Sequence, residues 1–163
     1  MELRPDMPPQ IIPMAWTIGT WHGVGVGGYP DVPEFRFGQE LTIAELPGKP
    51  FLHHVSRSWL LDDDGEQVRP LAQETGYWRP DADGSLELVL AHPTGFVEIW
   101  VGAVNGAKIE LSTDVVARTE TAKDYTAGHR LYGLVAGQLL WAYDMAAMGH
   151  PLQPHLSATL NRS

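Results

Sequence analysis

Phe35-Arg36-Phe37-Gly38-Gln39-Glu40-Leu41-Thr42-Ile43-Ala44 decides the fold class. Successive side chains of an extended chain point to opposite sides, so Phe35, Phe37, Leu41 and Ile43 share one face while Arg36, Glu40 and Thr42 share the other. A period of two with one apolar face is a half-buried β-strand. Working outward, runs of similar character occupy roughly 16–28, 51–61, 70–79, 85–92, 95–104, 107–113, 127–134, 138–147 and 153–161, which predicts about ten strands. Asp62-Asp63-Asp64-Gly65 and Asp81-Ala82-Asp83-Gly84 suit turns that need a left-handed residue, and Asn105-Gly106 suits a two-residue type I′ turn. Apart from a short helix at 9–16, no helix-period segment separates the strands, so the parallel sheet with its crossovers is excluded. The expected fold is all-β, an antiparallel up-and-down barrel of about ten strands. Eight strands already leave an interior that side chains fill, so about ten leave room for a cavity.

A chain of 163 residues with 44% hydrophobic content supports one domain, taken as 1–163. Its 11 Lys and Arg against 20 Asp and Glu give a net charge of −9, which repels phosphate backbones and anionic membrane surfaces. Nucleic acid and membrane are therefore not expected partners. With no cysteine, disulfides, thiolate metal sites, iron–sulfur clusters and cysteine nucleophiles are excluded together, and any metal must be held by His or carboxylate. The opening MELRPDMPPQIIPMA is charged and rich in proline where a signal peptide needs an apolar run, and 18 consecutive apolar residues occur nowhere. A cytoplasmic location is expected.

Gly23-Val24-Gly25-Val26-Gly27-Gly28 satisfies the dinucleotide-binding spacing G-x-G-x-x-G, but that motif needs a helix N-terminus to receive the pyrophosphate. Tyr29-Pro30-Asp31-Val32-Pro33 follows instead, which is extended or turned. The glycines are expected to let a first strand bend and close the barrel. His53 and His54 are adjacent, hence on opposite sides of a strand, and cannot chelate together. No G-x-S-x-G elbow and no H-x-x-x-H spacing with a carboxylate partner occurs.

Read from four residues earlier, the same region is Gly19-Thr20-Trp21-His22-Gly23-Val24-Gly25 followed by Tyr29-Pro30. Further segments stand in order behind it: Gly48-Lys49-Pro50-Phe51, Glu74-Thr75-Gly76-Tyr77, Leu90-Ala91-His92-Pro93-Thr94-Gly95, Thr121-Ala122-Lys123 and Pro151-Leu152-Gln153-Pro154-His155-Leu156. This ordered set, spanning nearly the whole chain, resembles the nitrobindin family, with Gly19, Trp21, Gly23 and Gly25 as its opening motif. The resemblance implies a ten-stranded barrel holding heme b near one end, with His155 as the iron ligand. It implies isomerisation of peroxynitrite to nitrate by ferric heme, and nitric oxide binding. It also implies a pocket wall containing His92, Leu71 and Met145, a cation at Lys123 near a propionate, and Asp31 where some relatives carry Thr; Ala72 stands where several carry His. A homodimer is left open by the resemblance. No catalytic residue is expected beyond the iron. The rival reading is a binding module, storing or sensing nitric oxide or heme, or holding a lipid-like molecule in a heme-free cavity.

Strict alternation places His155 with Gln153, Ser157 and Thr159, opposite Leu156, Ala158 and Leu160, so its face reads as polar. Either a bulge near Pro154 re-aims the ring, or small polar residues line the cavity there. His92 alternates in phase with Leu86, Leu88 and Leu90 and is expected to face inward.

Overall fold

The computed structural model describes residues 3–163. After a short 3₁₀ segment, Ile12–Thr17, ten strands follow: β1 Gly19–Tyr29, β2 Val32–Glu45, β3 Leu52–Leu61, β4 Gln67–Pro80, β5 Ser85–Ala91, β6 Phe96–Asn105, β7 Lys108–Arg118, β8 Tyr125–Val135, β9 Gln138–Ala147 and β10 Gln153–Arg162. Each strand pairs antiparallel with the next, and β10 returns to β1, so the sheet closes on itself and leaves no edge. The short helix expected at 9–16 is present as this 3₁₀ segment, with Pro13 in its first turn, where its missing amide leaves no hydrogen bond unmade.

Alternation builds the core as expected: Phe37, Leu41 and Ile43 of β2 are buried, as are Leu86, Leu88 and Leu90 of β5. The glycines of β1 mark where walls approach closely. A Cβ on Gly25 would stand 2.4 Å from the Ser157 carbonyl oxygen and 2.5 Å from the Phe37 ring, so β10 and β2 can flank β1 here only because no side chain intervenes. All of Gly23–Gly28 lies in β1, and no helix follows.

The turns correct one expectation. β6 and β7 pair through Asn105 and Lys108, so the loop is Gly106-Ala107, and only Gly106 of the two has positive φ. A type I′ turn needs positive φ at both central residues, and Ala136-Gly137 supplies it, at 51° and 80°, between β8 and β9. β7 also runs five residues past its expected end. Thr113 opposes Trp100 while Val115 opposes Ile99, so Asp114 is an extra residue that breaks the period of two.

Because the strands alternate in direction, the connections after β1, β3, β5, β7 and β9 gather at one end. The other end is plugged: Ile11, Met14, Ala15 and Thr17 are buried there, and the Trp21 indole donates to the Thr17 carbonyl at 2.9 Å. The mouth is therefore at the end carrying residues 30–31, 62–66, 92–95, 119–124 and 148–152.

Candidate functional site

His155, His92, Lys123, Leu71, Met145 and Asp31 all belong to the mouth end of their strands or to its loops. The deciding geometry is at His155. Pro154 opposes Asp144 and Leu156 opposes Tyr143, so His155 is the extra residue of a bulge between β10 and β9. Of the two readings of its polar face, the bulge is the one present, and it frees the ring from the alternation of its strand. His155 Nδ1 lies 2.9 Å from the Gly28 carbonyl oxygen. A carbonyl only accepts, so Nδ1 carries the proton and Nε2 is left with a lone pair, the arrangement that orients metal-binding histidines. The rings of Tyr29 and Tyr143 meet the imidazole edge-on at 5.5 and 5.7 Å. Burial, countered in part by the Gly28 hydrogen bond and reinforced by Lys123, holds the imidazole below its usual pKa, which favours the neutral form a metal requires.

Tyr29 is itself fixed, donating to the Met145 carbonyl at 2.8 Å and accepting from the Ala147 amide at 3.1 Å. Leu71 is also a bulge residue: Ser58 opposes Ala72 and Trp59 opposes Pro70, and the extra Leu71 packs on the core. Met145 is buried, and Lys123 Nζ lies 3.5 Å from its sulfur and 5.8 Å from the Phe96 ring centre. Burial lowers the Lys123 pKa, while Glu98 opposes that shift. Asp31 turns outward, exposed, with its carboxylate 2.8 Å from His150 Nε2, and so links the β1–β2 and β9–β10 loops.

Inside the mouth a cavity of about 50 Å³ is lined by Phe37, Gln39, Ser56, Ser58, Ala72, Glu74, His92 and Leu156, among others. Beyond it the lumen is filled. The Arg130 guanidinium makes two hydrogen bonds to Glu74, at 2.7 and 2.9 Å, and lies over the rings of Trp100, Trp141 and Tyr143. Glu74 also meets His54 Nε2 at 2.8 Å. The Trp78 indole donates to His54 Nδ1, so His54 presents its Nε2 proton to Glu74. Glu98, fully buried, holds His92 Nε2 at 2.5 Å and accepts from the Tyr125 hydroxyl at 2.6 Å. Arg130 and Glu98 were not singled out from sequence, and Glu74 only as part of a family segment, since alternation shows which side a residue faces but not which residue it meets across the lumen.

A larger concavity, about 600 Å³, lies on the outer wall across β8, β9, β10 and β1, where Val24, Val26, Leu140 and Ser157 form its floor. It is lined by no histidine and no carboxylate.

A family model described as the THAP4-like, heme-binding β-barrel domain matches residues 10–162. The chain belongs to that family. This family member is 53% identical over 161 residues to a protein of Nocardioides sp. named "Peroxynitrite isomerase", covering 99% of this chain and 98% of the relative. It is 48% identical to a protein of Kineococcus radiotolerans named "Ferric nitrobindin-like protein", with the same coverage. Among solved structures it resembles that of Rv2717c from M. tuberculosis, with a TM-score of 0.84 and 37% identity over 99% of both chains. The donor set suits the family's cofactor: one imidazole whose Nε2 makes no hydrogen bond among the described residues, the apolar side chains of Met145 and Leu156, and a half-buried cation close by.

Proposed function

We propose that this heme-binding barrel isomerises peroxynitrite to nitrate, with His155 Nε2 as the protein's ligand to the iron of heme b. The observation that carries the reading is the His155–Gly28 hydrogen bond at the β10 bulge, which fixes the tautomer and leaves Nε2 without a hydrogen bond among the described residues. Relatives at 53% and 47% identity bear the name of that activity. A chain without cysteine makes no thioether link to a porphyrin, which accords with a b-type, non-covalent heme.

Heme held here by His155 would supply the iron chemistry that isomerises peroxynitrite. The protein's own part is orientation and enclosure. His155 would hold the cofactor, and Tyr29 and Tyr143 keep its ring from turning. Lys123 can pair with a propionate in surroundings that strengthen the pairing by excluding water. Ala72 and Leu156 present small apolar surface, and His92 spends its Nε2 on Glu98 instead of offering it to iron. The 50 Å³ cavity admits a small oxyanion but not a porphyrin, so the macrocycle would lie at the mouth. Nitric oxide would bind the same iron.

The test is peroxynitrite decay by stopped flow with ferric heme-loaded protein, followed by nitrate and nitrite analysis. Faster decay with nitrate as the product is expected. Decay at the rate of buffer alone, despite bound heme, would leave only the sensor or carrier reading.

A further inference from the structure

Glu98 has no part in holding the cofactor, yet it is a carboxylate with its side chain fully shielded inside the barrel. Burying an isolated carboxylate is costly, so its partners matter. Tyr125 can only donate to the carboxylate, from 2.6 Å, and His92 Nε2 stands 2.5 Å from the other oxygen. Between a carboxylate and Nε2, the proton is on the imidazole, which leaves Nδ1 as the nitrogen that His92 offers elsewhere. Nδ1 makes no hydrogen bond among the described residues, and His92 lines the 50 Å³ cavity that also contains Ala72 and Leu156. The ring cannot swing freely, because it stacks on Phe96 at 4.1 Å. The other ionisable groups whose charge reaches Glu98 are Tyr125, whose hydroxyl burial raises far above its usual pKa, Lys123, Tyr143, Tyr132 and Arg130, and Glu74 lines the same cavity as His92.

A buried carboxylate that accepts one imidazole N–H and leaves the other nitrogen unpaired is how a histidine is oriented to take a proton. We propose that His92 is the proton acceptor for ligands that enter the cavity in their protonated form, and that Glu98 is its positioning residue. The inference rests on the heme reading above and adds to it a substrate form: peroxynitrous acid, besides the anion. The step is a proton transfer without redox change. The O–H bond of the acid breaks, its electron pair stays on oxygen, and an N–H bond forms at His92 Nδ1. The imidazolium is stabilised by Glu98 until the proton passes to water, since nitrate leaves as an anion.

Two measurements test this. In the heme-free protein, ¹⁵N chemical shifts of the His92 ring should show the Nε2–H tautomer, and Glu98→Gln should disturb it; an Nδ1–H tautomer in the unaltered protein overturns the proposal. In the ferric heme-loaded protein at about pH 8, imidazole is ordinarily neutral, whereas hydrogen cyanide is still protonated and thiocyanate has no proton to lose. His92→Gln should slow cyanide association roughly a hundredfold, within the usual range for general-base assistance, and leave thiocyanate affinity unaltered. Glu98→Gln should follow it, with partial recovery in Glu98→Asp. Equal loss for both ligands would mean a merely structural role, and no loss for either would mean that His92 takes no proton; both overturn the proposal. Normal cyanide behaviour without peroxynitrite turnover would count against the isomerase reading alone.

Discussion

His155 is useful because it sits where the strand miscounts. A regular β10 would hold it in step with Ser157 and Thr159, away from the core; the extra residue between Pro154 and Leu156 lets the ring reach the Gly28 carbonyl and the edges of Tyr29 and Tyr143. Its proposed role as iron ligand rests on the Pro-Leu-x-x-His-Leu segment, and its direction was not legible at all, because a bulge is set by the partner strand. Gly25 was the reverse case, its structural role following from sequence context and now visible as distances. Gly25→Val should destabilise the fold by about 3 kcal/mol, since overpacking meets a backbone carbonyl at 2.4 Å that has little freedom to retreat. Urea denaturation measures it, and a change below about 0.5 kcal/mol, the scatter of neutral surface changes, would show that the wall can adjust.

At the scale of elements, period-two alternation gave nine of the strands close to their observed limits and shortened β7, where the extra Asp114 puts Val115 and Val116 out of phase. The sequence signal for a type I′ turn pointed to Asn105-Gly106, but the pairing of Asn105 with Lys108 uses Asn105 as the last strand residue. The I′ turn falls instead on Ala136-Gly137, where Ala136 holds φ of 51° without the side-chain hydrogen bonding that makes Asn tolerant of that region. Ala136→Asn should therefore stabilise the protein by about 1 kcal/mol, seen as a rise in Tm with unchanged heme binding. A fall in Tm would mean that the turn is held by contacts other than its own backbone preference.

Across the whole molecule, the barrel is plugged at one end by the 3₁₀ segment, packed in the middle by aromatic rings around Arg130, and open at the end where five connections meet. Burial by itself would raise the Glu74 pKa, but Arg130 and His54 outweigh it and hold the carboxyl well below its usual range. A depressed carboxylate pKa stabilises the fold above the unfolded value, about 4.3, and that contribution is lost as pH falls through the lower folded value. Glu74→Gln should cost about 3–5 kcal/mol at neutral pH by leaving Arg130 buried and unpaired, and its stability should fall less steeply than that of the unaltered protein below about pH 4.5. Urea midpoints across pH 3–7 test both; parallel curves would mean that Glu74 titrates normally. The most direct test of the whole account is a hemin titration, followed at the Soret band, of the unaltered protein, His155→Ala, and His155→Gly with added imidazole. The account predicts tight, saturable binding at one heme per chain, its loss or a shifted weak spectrum in His155→Ala with the β-sheet circular dichroism retained, and recovery of the original spectrum when imidazole fills the His155→Gly space. An unaltered Soret band and affinity in His155→Ala would contradict it.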